Sequence, residues 1–163
     1  MMRATETLYS EHRLIEQVLA ALETGAWLLA QDPAFNPQFF ITATDFIAGF
    51  ADGCHHAKEE NILFQAMIDV GMSQKGNPVA AMLHEHELER AYTRGLRAAA
   101  ERLIAGNQAA RAEVVQYARR YTALLRNHIG MEDQIVFPIA AELFPPEQQE
   151  VVWKRFERAE NET

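Results

Sequence analysis

The residues best suited to chemistry are histidines and glutamates that recur in two copies of one short motif. The first copy begins at His55 and carries Glu59, and the second begins at His128 and carries Glu132. In both copies an acidic residue, an amide, two aliphatic residues and a phenylalanine follow the glutamate. Residues four apart lie on one face of a helix, one turn from each other. Two such pairs facing each other across a helical bundle would hold two metal ions through nitrogen and oxygen atoms.

Two further histidines are predicted to point at the same place from other helices. His12 lies on an apolar stripe, between Leu8 and Ile15. On the third helix His84 and His86 are two residues apart and point in different directions, and the apolar residues one turn earlier favour His86. The predicted metal ligands are four imidazoles and two carboxylates, namely His12, His55, Glu59, His86, His128 and Glu132.

A competing register exists in the first copy of the motif. His56 and Glu60 are also four residues apart, and they lie roughly 100° around the helix from the first pair. The second copy has Ile129 at the place of His56, and isoleucine cannot bind a metal. We therefore predict that His56 lies behind the ligands or at the surface, and that Glu60 orients a ligand imidazole.

Amphipathic patterns place these residues on four long helices, followed by a short one. Asn-Pro pairs at 36–37 and 77–78 predict helix starts, with asparagine as the cap and proline at the first helical position. Gly71 and Gly106 predict helix ends. Because short loops make neighbouring helices antiparallel, we expect an all-α, up-down-up-down antiparallel four-helix bundle with a short fifth C-terminal helix, in one domain spanning 1–163. The predicted helices cover about 5–29, 37–70, 78–104, 108–141 and 147–158.

The fourth helix is predicted to follow a regular helical repeat. Pro138 lies inside that repeat and is expected to kink or end the helix nearby. Trp153 and Phe156 on the last helix are expected to pack on the bundle, although the sequence leaves a homodimer contact open. The predicted inner face of the fourth helix comprises Tyr117, Tyr121, Leu124, His128, Glu132, Ile135 and Ile139.

The donor atoms favour iron. Imidazole suits iron, zinc, copper and nickel, while carboxylates add hard oxygen atoms and can bridge two ions. Cys54 is the one cysteine of the chain, so a thiolate site is excluded. A pair of irons fits two carboxylates with terminal imidazoles best, and zinc is the second choice.

With these residues the chain resembles the hemerythrin-like (HHE cation-binding) four-helix bundles. The resemblance rests on Glu11-His12-Arg13, residues 55–64, Glu85-His86-Glu87 and residues 128–138, and it spans nearly the whole chain. It implies a non-haem di-iron centre, oxo-bridged in some states, with Glu59 and Glu132 as bridging carboxylates. The ligand implied is a diatomic molecule, oxygen or nitric oxide, or peroxide, for sensing, storage or scavenging.

The chain departs from the oxygen-carrying members of that family. Those members have a second histidine four residues from the one on the third helix, and here Met82 and Arg90 occupy both places. This departure disfavours reversible oxygen carriage. The chain resembles instead a six-ligand bacterial branch, in which one coordination position is open. Residues near the ligands in sequence that would lie behind them are Tyr9, His56, Glu60, Glu89 and Tyr121. Of these, Glu89 or one of the two tyrosines would be able to fill the open position.

Composition narrows the class of protein. A chain of 163 residues that is 48% hydrophobic can form a core without disulfides, and a lone cysteine suggests a reducing compartment. The net charge of −8 argues against nucleic acid or an anionic membrane as partner. No signal pattern or membrane-spanning apolar run is present in the sequence, so we expect a cytoplasmic protein. Two alternatives stay open: a weak di-iron oxidase or peroxidase, and a bundle with structural zinc or a single metal ion.

Overall fold

The computed structural model describes residues 2–73 and 77–162, which are helical apart from short connections and contain no strand. This confirms the prediction of an all-α protein, in the form of a helical bundle. No helix in the described ranges is long and apolar enough to cross a membrane. The described helices are α1 (Arg3–Gln31), α2 (38–69), α3 (Pro78–Ile104), α4 (110–143) and α5 (Pro146–Glu162).

The signals predicted at Asn77-Pro78, Gly71 and Gly106 are confirmed, whereas α2 begins one residue later than predicted, at Gln38, with Pro37 in the cap position. The Asn77 side chain accepts a hydrogen bond from the Ala80 N–H at 3.0 Å, with Pro78 in the first turn of α3. Asn36 does the same for the N–H of Gln38 at 3.0 Å. Gly71 and Gly106 have φ of +109° and +98°, a backbone conformation that glycine adopts without steric cost. Of the loop predicted over 71–76, residues 74–76 lie outside the described ranges.

Helices α2 and α4 change from α- to π-helical geometry around the two motif glutamates. The π-helical segments are Ile47–His56 and Glu59–Phe64 in α2, and Glu132–Val136 in α4. Glu59 and Glu132 are each the first residue of such a segment, so the repeated sequence produces a repeated distortion. A π turn takes up more residues than an α turn, and π turns occur frequently at functional sites.

This distortion makes part of the predicted inner face of α4 wrong. Ile135 is 37% exposed, whereas its neighbour Val136 is fully buried. Since the wider turn starts at Glu132, the next residue on the inner face comes four positions later instead of three. One turn before His128, Leu125 is buried and Leu124 only half-buried.

Pro138 does not end α4, so of the two outcomes expected there the helix end does not occur at Pro138 itself, and the kink stays a prediction. The helix continues to Leu143, and Pro138 is in the first turn of the α-helical segment Phe137–Leu143. Proline is tolerated in a first turn because its missing N–H would have no partner there. The preceding π-helical segment creates this first turn inside a continuous helix.

The interior consists of two apolar clusters with a polar layer between them. One cluster includes Ile15, Leu22 and Leu96. The other includes Leu8, Leu63 and Phe156. On each of the four long helices, the histidines and glutamates of the predicted site lie between the residues that enter the two clusters. The two apolar clusters thereby hold the polar residues in place from both sides.

Helix α5 closes the second apolar cluster. Val152 and Phe156 are fully buried in it, and Trp153 is half-buried beneath the guanidinium of Arg3, 5.0 Å from the ring centre. The expectation that these aromatic side chains pack on the bundle is therefore confirmed. Lys58 of α2, itself 2% exposed, binds Glu160 of α5 at 3.3 Å.

Two glycines provide a test of the packing between α3 and α4. A Cβ at Gly95 would lie 2.4 Å from the Tyr117 ring, while a Cβ at Gly49 meets nothing within 4 Å. We expect Gly49→Ala to stabilise the protein by roughly 0.5–1 kcal/mol, because alanine loses less backbone entropy in a helix. Gly95→Ala should instead destabilise it by about 1 kcal/mol or more, because the Tyr117 ring must move. Urea denaturation of both variants measures the difference, and equal stabilisation would contradict this packing.

Candidate metal centre

Two groups of buried side chains meet in the polar layer, and within each group the candidate ligand atoms lie within 4.8 Å of one another. The structure thus brings together the six residues predicted as ligands and adds His56 to them. His86 is fully buried and His84 exposed, as predicted. The first group contains His12, His55, Glu59 and Glu132, and the second contains His56, Glu59, His86 and His128.

The two glutamates lie between the groups and turn one oxygen towards each. Glu59 Oε1 is 3.2 Å from His55 Nε2, and its Oε2 is 3.5 Å from His86 Nε2. Glu132 Oε2 is 3.2 Å from His12 Nε2, and its Oε1 is 3.2 Å from His128 Nε2. The arrangement defines two positions, each surrounded by two imidazole nitrogens and two carboxylate oxygens.

The other ring nitrogen of each of these imidazoles donates a hydrogen bond to a carboxylate. Each carboxylate comes from a neighbouring helix, and together the four contacts form a closed ring around the bundle. Such contacts fix the ring orientation and leave Nε2 free to bind a metal. The contacts from Nδ1 are His55 to Glu11 at 2.8 Å, His86 to Glu60 at 2.7 Å, His128 to Glu85 at 2.9 Å and His12 to Asp133 at 2.6 Å.

Sequence reasoning identified only Glu60 among these four carboxylates. It missed Glu11, Glu85 and Asp133, although each is next in sequence to a predicted ligand. The signal was present as an acidic neighbour beside His12, His86 and Glu132. This signal does not identify the contacts, because each carboxylate binds an imidazole of a different helix. One sequence does not reveal which helices are neighbours.

An aromatic ring from each motif covers one side of the site. Phe137 stacks on His12, with ring centres 5.4 Å apart, and Phe64 stacks on His86 at 6.0 Å. Both phenylalanines are 1% exposed. The repeated sequence therefore places a water-excluding ring against an imidazole in each half of the site.

Several polar atoms of the site are buried without a hydrogen-bond partner among the described residues. They include both carboxylate oxygens of Glu59 and of Glu132, and Nε2 of His12. The facing imidazole nitrogens are close enough, at 3.2–3.5 Å, but these contacts lack hydrogen-bond alignment. Buried polar groups are almost always satisfied, so unpaired nitrogen and oxygen atoms that converge fit a site for a cation.

The pKa values of the site show that protonated imidazoles carry the positive charge that a metal cation would otherwise supply. Burial opposes a charge on His55, yet the charge of Glu59 and the hydrogen bond to Glu11 raise its pKa to about 10. Burial likewise opposes the charge of Glu59, but the neighbouring His55 holds its pKa well below the usual range. Without a metal, protonated imidazoles neutralise the buried carboxylates in this way.

His56 does not lie at the surface, which was one of the two places predicted for it; the other, a place behind the ligands, stays a prediction. It is 2% exposed, and neither ring nitrogen has a hydrogen-bond partner among the described residues. Burial lowers the pKa of His56 to about 4, so its imidazole is neutral at pH 7. Next to it, burial raises the pKa of the Glu89 carboxyl to about 7.

The two tyrosines of the prediction have different environments. Tyr9 donates a hydrogen bond from its hydroxyl to the backbone carbonyl of Asp133 at 3.0 Å. The Tyr121 hydroxyl is buried and has no partner among the described residues. It borders a cavity of about 140 Å³, together with His56, Glu89 and Arg90. This cavity adjoins the second group of candidate ligands.

Comparison with known proteins agrees with this geometry. A family model described as "Hemerythrin HHE cation binding domain" matches residues 3–140, which include all the residues of both groups. No curated protein and no solved structure gave a match.

The ring of carboxylates makes a prediction about metal affinity. Glu85→Gln removes the charge that holds His128 Nδ1, and we expect the metal affinity to fall roughly 10- to 100-fold. Glu101→Gln on the same helix changes an exposed residue paired with Arg97, and it should leave the affinity unchanged. Competition with a chromophoric chelator measures both variants, and equal affinities would mean that the Glu85 contact does not support a ligand.

Proposed function

The chain belongs to the hemerythrin HHE cation-binding domain family, and from this premise we propose that its buried site holds two iron ions and binds oxygen, nitric oxide or peroxide. The physiological role that fits is sensing, storage or scavenging of such a small molecule. The family and the buried His/Glu groups establish a metal-binding helical protein. The choice of iron and of the small ligand is our proposal.

One observation carries the proposal: each of two carboxylates offers one oxygen to each of two positions. Glu59 and Glu132 have this geometry, and each position also receives two imidazole nitrogens. A pair of ions bridged by carboxylates is the arrangement that helical bundles with di-iron sites build. Nitrogen and oxygen donors without a thiolate suit iron, with zinc as the second choice.

Each residue has a defined task in this proposal. Glu59 and Glu132 would hold both ions, and the four imidazoles would complete the six protein ligands predicted from the sequence: His12, His55, Glu59, His86, His128 and Glu132. The carboxylates at Nδ1 keep the imidazoles oriented and raise their basicity. Phe64 and Phe137 keep water from the adjacent imidazoles. Iron supplies redox chemistry and Lewis acidity when it is bound.

Coordination numbers support the binding of an external small molecule. Each position receives four protein atoms, and iron sites of this kind commonly take about six donors. Positions therefore remain for solvent or for a small ligand. The cavity of about 140 Å³ beside His56 has room for molecules of that size.

We further propose that residues 1–163 form one domain in which neighbouring long helices are antiparallel. The order of the apolar clusters along the chain supports this topology. Helices α1 and α3 pass from the cluster of Leu8 to the cluster of Ile15, while α2 and α4 pass in the opposite order. This order is the one that an up-down-up-down bundle requires.

The first test is metal content. Protein from iron-replete cells should carry about two irons per chain. Glu132→Ala removes a bridging carboxylate and should reduce this content well below one, whereas Glu142→Ala, at an exposed position of the same helix, should retain it. Elemental analysis of both variants, with circular dichroism as a check of folding, decides the matter. Wild-type protein without metal would contradict the proposal.

The second test separates a ligand-binding iron site from a structural metal site. Azide or nitric oxide added to iron-loaded protein should produce a new visible absorption band, because positions on the iron are open to external ligands. Zinc-loaded protein has the same side chains but no such band, and it serves as the control. An unchanged spectrum in protein that contains two irons would show that the site is closed to external ligands. Steady consumption of peroxide would instead favour an oxidase or peroxidase.

A further inference from the structure

The contacts around the metal centre repeat between its two halves. Glu11 of α1 supports His55 of α2 in the way that Glu85 of α3 supports His128 of α4. In each half the phenylalanine of the motif also stacks on an imidazole. Helix α1 therefore corresponds to α3 and α2 corresponds to α4, so that a residue near one metal position has a counterpart near the other.

Near the second position, three polar residues occupy places where the repeat has apolar ones. His56 corresponds to Ile129, Glu89 to Ile15 and Thr93 to Leu19. The three apolar counterparts are buried in the first apolar cluster, at 0–3% exposure. Since apolar side chains fill these places in one half, the packing of the bundle does not require polar side chains in the other.

The polar residues line the cavity of about 140 Å³ that adjoins the second group of candidate ligands. Its wall runs from the exposed Ala48 and Arg94 to the buried His56, Glu89 and Tyr121. The cavity thus leads from the surface of the bundle to the polar layer. A cavity of about 150 Å³ holds one molecule of the size of benzene, so this cavity admits only small molecules.

The buried end of the cavity offers hydrogen-bond donors and acceptors that no described residue satisfies. The unpaired atoms are both ring nitrogens of His56, both carboxylate oxygens of Glu89 and the hydroxyl of Tyr121. Glu89 Oε2 lies 3.4 Å from His56 Nε2, but this contact lacks hydrogen-bond alignment. A neutral imidazole has one donor and one acceptor, a hydroxyl is both, and a carboxylate only accepts. Because leaving such groups unpaired costs free energy, a ligand that both donates and accepts gains by binding here.

This combination of donors and acceptors discriminates among the small molecules of the proposed function. Oxygen and nitric oxide have no hydrogen to donate, and both are weak acceptors. Hydrogen peroxide has two O–H donors and an acceptor on each oxygen, so it pairs with a hydroxyl, an imidazole and a carboxylate at once. A buried site built to hydrogen-bond a hydroxyl group rejects an analogue that lacks it by roughly 10⁴- to 10⁵-fold. An apolar lining, as in the first half, would accept a diatomic gas without leaving polar groups unpaired.

We propose that this cavity binds hydrogen peroxide, which Tyr121 and His56 hold beside the second metal position while Glu89 accepts a hydrogen bond from it. This proposal rests on the proposed function and narrows its ligand to peroxide. The three side chains determine specificity through their unpaired atoms. Tyr121 offers the sharpest test, because phenylalanine has the same ring without the hydroxyl.

Binding is measured first without turnover, in zinc-loaded protein, because zinc does not exchange electrons with peroxide. Tyrosine labelled with ¹³C at Cζ gives four signals, and the signal of Tyr121 is the one that Tyr121→Phe removes. We expect hydrogen peroxide to shift this signal saturably, since the Cζ shift reports hydrogen bonding of the hydroxyl, and to leave the signal of Tyr117 unchanged. No shift, or a shift that never saturates and is shared by all the tyrosines, would overturn the proposal.

Selectivity is measured next in reduced, iron-loaded protein by stopped-flow absorption. One peroxide takes one electron from each of two ferrous ions and leaves as two hydroxide ions, so no other reductant is needed. Tyr121→Phe should lower the second-order rate constant with peroxide about tenfold and change the one with oxygen less than about twofold. Tyr117→Phe, one turn earlier on α4, should change neither rate constant and is the matched control.

Glu89→Ile provides a second variant, because it introduces the residue found at the corresponding place of α1. It should likewise slow the reaction with peroxide alone, and the melting temperature should not fall, since an unpaired buried carboxyl group is removed. If both variants slow the reactions with peroxide and oxygen equally, or slow neither, the cavity does not select peroxide and the proposal fails. Protein that takes up fewer than two metal ions would instead overturn the proposed function.

Discussion

Two carboxylates without any exposed surface, those of Glu59 and Glu132, are the constraint on which the rest of the structure depends. A buried charge without a partner costs several kcal/mol, and two like charges in one layer repel each other in addition. Burial and the charge of Glu59 both act to raise the pKa of Glu132, but His128 and His12 outweigh them and hold this pKa below its usual value. The chain therefore needs positive charge at the centre of the bundle, from metal ions or from protonated histidines.

Because burying these two charges costs free energy, the polar layer extends outwards from them as pairs of oppositely charged groups. Each imidazole that faces a central carboxylate donates to a second carboxylate nearer the surface, and basic side chains bind three of these four outer carboxylates. Arg90 binds Glu60 at 2.6 Å, Arg13 binds Asp133, and the buried Lys58 binds Glu11. Because Lys58 also binds Glu160, helix α5 is connected to the predicted ligand His55 through three consecutive contacts. Every helix of the described ranges thus contributes to the balance of charge around the centre.

The sequence predicts the helices and the six converging side chains because both follow from helical periodicity, which local residues determine. The prediction from sequence fails where the helix backbone departs from that periodicity. The π turn at Glu132 moves Val136 inwards and Ile135 outwards, and nothing in a regular repeat signals this change. The same limit applies to His56. Comparison with Ile129 correctly excluded it from the repeated motif, but an unrepeated residue can still reach the site when the two halves differ.

Because the two halves differ, the residues beside the first position are apolar and those beside the second are polar. Around the first position the corresponding residues are Ile15 and Ile129, both buried in the first apolar cluster. Around the second, Glu89 and the Tyr121 hydroxyl border a cavity whose wall also includes Arg90. Unpaired polar atoms in a low-dielectric cavity interact strongly with a polar or ionic ligand, because little water competes for them. A small anion or peroxide approaching from this side would meet these groups before it reaches a metal, whereas the side chains of Ile15 and Ile129 have no hydrogen bond to offer it.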